Sequence, residues 1–268
     1  MTSEGAPRPV SMGRSGAPLA GRGVLVTRPA RQAGAFAQKL AALGASPIVF
    51  PAIVILPPDD FAALENVHAR IAEFDAAVFV SANAVEYGAP DPAQWPKGLV
   101  AIAPGPGTAE ALASLGIGPV RHPTSAFDSE SMLKLPELAD PRGRRVIIFR
   151  GERGREVLSA SLRQRGAQVE TVACYRRAAP ASGAEGLVEA MRECRVHAVT
   201  FTSSEGVDNL WTVVGDEGRR LLVSLPAFVP HARIAERAQQ HGLRVRLTAG
   251  GDAGLLAGLL AWAAEPSA

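Results

Sequence analysis

Short apolar runs rich in β-branched residues alternate along the chain with stretches of about a dozen residues whose apolar positions recur at helical spacing. The runs at 23–27, 76–80, 99–103, 146–149, 198–202 and 227–229 lack the in–out alternation of a half-exposed strand, so they read as strands buried on both faces. Each is followed by a loop and then a helical pattern. That order is the signature of βα units around parallel sheets, and the fold class is α/β. Loops at the carboxyl ends of such strands are where a ligand belongs.

Three blocks recur in the same order. Leu25-Val26-Thr27-Arg28, with its helix closing at Leu43-Gly44-Ala45, matches Ile148-Phe149-Arg150, with its helix closing at Arg165-Gly166-Ala167. The segment 77–85, containing Phe79-Val80-Ser81-Ala82-Asn83, matches 199–207, containing Phe201-Thr202-Ser203-Ser204-Glu205. One offset relates Arg28 to Arg150, Gly44 to Gly166 and Ser81 to Ser203. At a slightly longer offset, Ile102-Ala103-Pro104 through Gly116 matches Phe228-Val229-Pro230 through Gly242. Such self-similarity means two like α/β units, both presenting the same kind of loops to one ligand. The offsets are the same for a simple tandem and for a swapped arrangement, so they do not settle which blocks pair in space.

A length of 268 residues suits two domains. With 47% hydrophobic and 20% charged residues the chain reads as soluble and globular, and at 5% aromatics are scarce for a base-stacking surface, so no nucleic-acid partner is expected. The formal net charge is only +2, but Lys39, Lys97 and Lys134 are the only lysines. The positive charge is therefore nearly all arginine, whose planar fork suits carboxylate and phosphate. Most of these arginines are expected on solvated faces. Cys174 and Cys194 have neither the number nor the spacing of a disulfide framework or a zinc site, which fits a reducing, cytoplasmic setting. Residues 1–21 read as a disordered tail without the apolar stretch of a secretory signal. The apolar stretch 255–264 is too short for a bilayer span of about 20 residues, so no membrane partner is expected.

Nucleophile-elbow and zinc-protease motifs are absent, and His68, His122, His197, His231 and His241 are scattered. Gly105-Pro106-Gly107-Thr108 lets backbone approach an anion but lacks the spacing of a dinucleotide fingerprint, which argues against a Rossmann-type methyltransferase or reductase. No metal or organic cofactor is implied.

The ordered set Val24-Leu25-Val26-Thr27-Arg28-Pro29, Phe79-Val80-Ser81-Ala82-Asn83-Ala84-Val85, Gly105-Pro106-Gly107-Thr108-Ala109, Val172-Ala173-Cys174-Tyr175-Arg176-Arg177 and Phe201-Thr202-Ser203-Ser204-Glu205-Gly206-Val207 resembles the uroporphyrinogen-III synthase family. The resemblance runs over about 23–260. It implies the swapped arrangement: 22–51 plus 179–264 as one discontinuous α/β domain, 57–171 as a second and similar one, and a two-stranded β linker of 52–56 and 172–178. A linker of that kind acts as a hinge. The resemblance makes 50–56 the first of these extended strands, rich in Ile and Val, although Pro51, Pro57 and Pro58 by themselves fit plain loop punctuation equally well.

The resemblance also implies a substrate, hydroxymethylbilane, a linear tetrapyrrole with eight carboxylates. Such a ligand asks for many hydrogen-bond donors. Ser81, Ala82 and Asn83, and Ser203 and Ser204, fall between strand and helix, where hydroxyls cap and free N–H groups face a ligand; capping alone is the plainer reading. Gly107 and Thr108 belong to the glycine turn. Its counterpart departs from the family pattern, with His231 and Ala232 where small hydroxyl residues are common, leaving His231 and Arg233 as substitute carboxylate contacts or as solvated side chains. Arg28 and Arg150 stand at matching strand ends, and Arg150 opens the loop Arg150-Gly151-Glu152-Arg153-Gly154-Arg155, in which Arg150, Gly151 and Arg153 are the leading anion contacts. Tyr175 matches the family's cleft tyrosine and is by resemblance the general acid. No cofactor is implied. The partners implied are the substrate and a transient handover from hydroxymethylbilane synthase, with the enzyme acting as a monomer. A non-catalytic two-lobed binding protein would keep the anion loops and dispense with Tyr175.

Overall fold

The computed structural model describes residues 16–125, 128–154, 156–181 and 183–266. In chain order its strands are β1 (Gly23–Val26), β2 (Ser46–Val49), β3 (Val54–Leu56), β4 (Ala76–Phe79), β5 (Val100–Ile102), β6 (Val120–Arg121), β7 (Arg145–Gly151), β8 (Gln168–Ala178), β9 (Ala198–Thr200), β10 (Pro226–Val229) and β11 (Arg244–Leu247). They form two sheets, ordered β11-β10-β9-β1-β2 and β3-β8-β7-β4-β5-β6. The chain divides into two units, one made of the chain up to Val54 and from Ala179 onward, the other Ile55–Ala178.

The sheets settle how the repeated blocks pair. β1 lies parallel to β9, with Val24 opposite Ala198, and β7 lies parallel to β4, with Val146 opposite Ala76. Matched block by block, β2-β1-β9-β10-β11 and β8-β7-β4-β5-β6 are the same order, with β3 added beyond β8. The arrangement is the swapped one. In the discontinuous unit the join is reinforced by two buried threonines: Thr27 Oγ1 donates to the Thr200 carbonyl at 2.8 Å, and Thr200 Oγ1 donates to the Leu25 carbonyl at 3.0 Å.

Each sheet is covered by helices on both faces, which is why its central strands are apolar without alternation. Leu25, Val199 and Val229 pack against Leu187, Leu210 and Ile234, while Val24, Val26 and Phe228 pack on the opposite face against Phe36, Leu40 and Leu259. In the continuous unit Phe79, Ile147 and Phe149 meet Leu64, Val85 and Leu112, and Val78, Val146 and Ile148 meet Leu138, Leu158 and Leu162. Each such side chain stabilises its unit by about 1.5–3 kcal/mol. Matching helices also end alike. Ala30–Ala42 and Val157–Gln164 are followed by Gly44 and Gly166 at φ 87 and 89, left-handed positions that only glycine takes without strain.

Two sequence expectations change. The segment 50–56 is not one strand: only Val54–Leu56 is, and the preceding residues leave the ladder after β2. Pro51 has no N–H to continue the pairing, and Ala52, fully buried, donates its N–H to the Thr27 carbonyl at 3.0 Å. β8 begins four residues before the expected 172 and pairs with β7 as a full sheet member. Part of the expected tail, up to residue 15, lies outside the described residues. In 16–21 most residues are exposed, but Leu19 is wholly buried and its N–H is bonded to the Leu43 carbonyl at 2.9 Å. Among the described residues no helix is long and apolar enough to cross a membrane.

Candidate active site

Chain order reverses between β7 and β4 in one sheet and between β1 and β9 in the other. Loops leaving these neighbouring strands diverge, and the crevice between them is the usual ligand position of a doubly wound sheet. In the continuous unit this crevice is a cleft of about 260 Å³ bounded by Ser81, Arg150, Gly151, Arg153, Tyr175 and Arg177. A smaller pocket of about 160 Å³ shares Gly151, Arg153, Tyr175 and Arg177 and adds Arg176, which is paired with Asp59 at 2.8 Å. Tyr175 therefore borders two hollows walled by arginine.

The tyrosine owes its position to a bulge. β7 and β8 pair residue for residue from Arg145 opposite Gln168 to Arg150 opposite Ala173, after which Gly151 faces Tyr175, leaving Cys174 as the extra residue. Strict alternation after Val172 and Cys174 would send Tyr175 to the other face of the sheet; instead all three share one core cluster. The ring is only 4% exposed, and its hydroxyl lies 3.3 Å from Ser81 Oγ. A Cβ on Gly151 would fall 2.8 and 2.9 Å from the Cε2 and Cζ atoms of Tyr175, so a glycine is what lets the ring lie across β7. Burial pushes the neighbouring Cys174 thiol up to about 12, which keeps it protonated and inert as a nucleophile.

Both strand-end arginines are already paired. Arg150 donates to the Glu156 carboxylate and, through Nε, to the Gly151 carbonyl at 3.3 Å. Hydrogen bonds from Ser159 and from Arg150, with the charge of Arg150, hold the Glu156 carboxyl below its usual range. Arg28 meets Asp252 at 2.6 Å and lies over the Phe36 ring at 4.4 Å, its Nε buried with no hydrogen-bond partner among the described residues. Burial alone would raise the Asp252 carboxyl, but hydrogen bonds and charge from Arg28 and Lys39 outweigh it and hold it low.

The remaining expected residues fall into two groups. Ser81 caps the helix Ala82–Gly88 by accepting the Ala84 N–H at 3.2 Å, with Ala82 exposed and Asn83 half-buried in the first turn. Ser203 caps Ser204–Val213 by accepting the Gly206 N–H at 3.0 Å, and Ser204 Oγ approaches the Arg233 carbonyl at 3.5 Å. His231 and Arg233 are exposed at the start of the helix Ala232–Gln240, where the His231 side chain caps nothing. The expected glycine turn is a helix start instead: Gly105 is extended, Pro106 opens the helix Pro106–Ser114, and Thr108 is 8% exposed on its inner face. The cleft touches Pro104 but neither Gly107 nor Thr108. Ser81, Arg150, Gly151, Arg153 and Tyr175 are thus brought together in one unit, while Arg28, Ser203, Ser204, His231 and Arg233 belong to the other. Sequence reasoning missed Glu156, Ser159 and Arg177. Only Arg177 had a signal, lying two residues beyond Tyr175 on the same strand. Among the described residues no three His, Cys, Asp or Glu side chains gather as a metal-ligand set.

Fold and site together define a duplicated, doubly wound α/β protein with an arginine-lined cleft at the switch point of its continuous unit. Residues 34–251 match the family model described as Uroporphyrinogen-III synthase HemD. A uroporphyrinogen-III synthase of Salmonella typhimurium is 32% identical over 226 residues, covering 82% of this chain and 91% of the relative, and one of Synechococcus elongatus is 35% identical over 199 residues, covering 72% and 74%. The chain belongs to the uroporphyrinogen-III synthase family. Its fold is that of the uroporphyrinogen-III synthetase of Helicobacter pylori, with a TM-score of 0.60 at 13% identity over 90% of this chain and 99% of that one. A mutant uroporphyrinogen III synthase from Thermus thermophilus gives 0.51 at 20% identity, over 89% and 97%.

Proposed function

We propose that this protein cyclises hydroxymethylbilane to uroporphyrinogen III, losing water and inverting ring D through a spiro intermediate, with Tyr175 as general acid. The observation that carries the assignment of roles is the buried phenol whose hydroxyl borders an arginine-lined cleft within 3.3 Å of Ser81 Oγ. Ser81 accepts the Ala84 N–H and can donate its own proton to Tyr175 Oη, which leaves the phenol O–H directed at a ligand. That proton passes to the hydroxymethyl group of the bilane, the C–O bond breaks, and water leaves. The resulting azafulvenium cation is attacked by the already substituted carbon of ring D. The spiro species fragments and recloses with that ring inverted, and the proton released on rearomatisation restores the phenol.

Arg150 and Arg153 serve as carboxylate contacts in this cleft. Selectivity then comes from holding the chain ends in one geometry, since closure at the unsubstituted carbon gives the other isomer. The substrate is received from hydroxymethylbilane synthase, and the two free thiols, Cys174 and Cys194, suit a cytoplasmic setting. The test supplies fresh hydroxymethylbilane to the purified protein without added metal or cofactor and separates the oxidised isomers. Predominantly type III product is expected. Type I alone, at the spontaneous rate and from folded protein, sinks the catalytic reading and leaves a two-lobed binding protein.

A further inference from the structure

Arg28 and Arg150 are related by the repeat, but the carboxylates that hold them are not. Glu156 comes from the loop just after β7, whereas Asp252 comes from the first turn of the helix Gly251–Ala263, far along the chain. Inheritance explains a shared arginine; it does not explain two unrelated carboxylates converging on it. The need to neutralise a guanidinium only 11% or 12% exposed does. The two pairs differ in how firmly the acid is held. Asp252 also binds Lys39 at 3.1 Å and is 29% exposed, while Glu156 is 65% exposed and, among the described residues, is hydrogen-bonded by the Ser159 hydroxyl, at 2.7 Å, besides Arg150, with some further charge from Arg163. Arg150 also borders the cleft, and its guanidinium fills the space that a Cβ on Gly154 would enter, 2.8 Å away.

We propose that Glu156 is a displaceable counter-ion, which holds Arg150 neutralised and oriented until a ligand carboxylate takes its place and Glu156 turns into solvent. The proposal rests on the reading that this cleft takes a polycarboxylate. Exchange of one carboxylate for another keeps the charge balance at the buried Arg150, and a carboxylate that is itself 65% exposed leaves at less cost than one buried with its partner. A ligand group without a free carboxylate cannot make the exchange, so Glu156 sharpens selection for the acid while weakening its binding.

The test is a fluorescence titration with uroporphyrin, an unreactive octacarboxylate, on the full chain. Glu156→Gln is expected to bind it roughly fivefold more tightly than the unaltered protein. Arg150→Gln is expected to bind it more weakly, and the double variant as weakly as Arg150→Gln alone. Ser159→Ala, which loosens Glu156 without removing its charge, moves affinity in the same direction as Glu156→Gln by less. Equal or weaker binding by folded Glu156→Gln overturns the proposal, as does no detectable binding by either protein. If Glu156→Gln fails to fold, the Ser159→Ala titration decides by the same signs. Loss of the catalytic reading with the Glu156 effect intact, or the reverse, separates the two ideas.

Discussion

At the scale of single residues, Tyr175 gathers the most constraints: a bulge to turn it, a glycine to lie on and Ser81 Oγ at 3.3 Å. Tyr175→Phe keeps the ring and removes the proton, so formation of type III isomer is expected to slow by roughly 10²-fold without a switch to type I. Gly151→Ala leaves the hydroxyl in place chemically but pushes the ring, and should lower kcat more than it raises KM. Steady-state assays with isomer separation check both; unchanged rates would remove Tyr175 from the chemistry. Much at this scale was legible. Ser81 and Ser203 stood where caps belong, and the serines do cap. The bulge was not legible, because it depends on the register between β7 and β8 and not on the local composition of 172–178. Nor was the pairing of Arg150 with Glu156, since a loop rich in arginine and glycine does not show which acid will fold back onto it.

Among elements, the legible strands are those buried on both faces. β1 and β4 are apolar throughout, β9 is so but for Thr200, and all three are buried at every position. β2 and β11, reading Ser-Pro-Ile-Val and Arg-Val-Arg-Leu, form the edges of their sheet, are exposed at both ends, and each contain polar residues that break or shorten the apolar run. The helix ends were legible through glycine, and they carry a stability prediction. Gly166→Ala forces a left-handed backbone onto alanine at φ 89 and brings its Cβ 3.3 Å from Arg142 Cγ, which should cost about 1–2 kcal/mol. Gly116→Ala, also left-handed but with open space around it, should cost about 1 kcal/mol. Urea denaturation measures both, and equal losses would show that crowding at Gly166 is relieved by the long arginine side chain.

For the molecule as a whole, the ion pairs that join distant parts of the chain set its response to acid. Asp252, whose usual value is 3.8, is held lower in the folded state. A depressed folded value means stabilisation that is present above the unfolded pKa and lost as pH falls through the folded one. Asp208 behaves alike: burial opposes it, but Arg237 and His241 hold it low. Stability should therefore decline below about pH 4. Asp252→Asn is expected to be about 1–3 kcal/mol less stable at neutral pH, because Arg28 loses its partner, and the gap should narrow on acidification as the unaltered protein loses the same charge. Thermal melts across pH test this; a gap that stays constant into acid would show that the aspartate acts through packing alone.

The order of residues along the chain was enough for the βα alternation, the central strands, the helix caps and left-handed ends, and the presence of two like units. These follow from periodicity and from conformational preferences that act over a few residues. Contacts made on folding are what join β1 to β9 across most of the chain, make Cys174 bulge and turn Tyr175, and bring the carboxylates that neutralise Arg28 and Arg150. Those outcomes depend on hydrogen-bond register and on charges brought together from far apart in the chain, and the local pattern of apolar and polar residues carries no record of either.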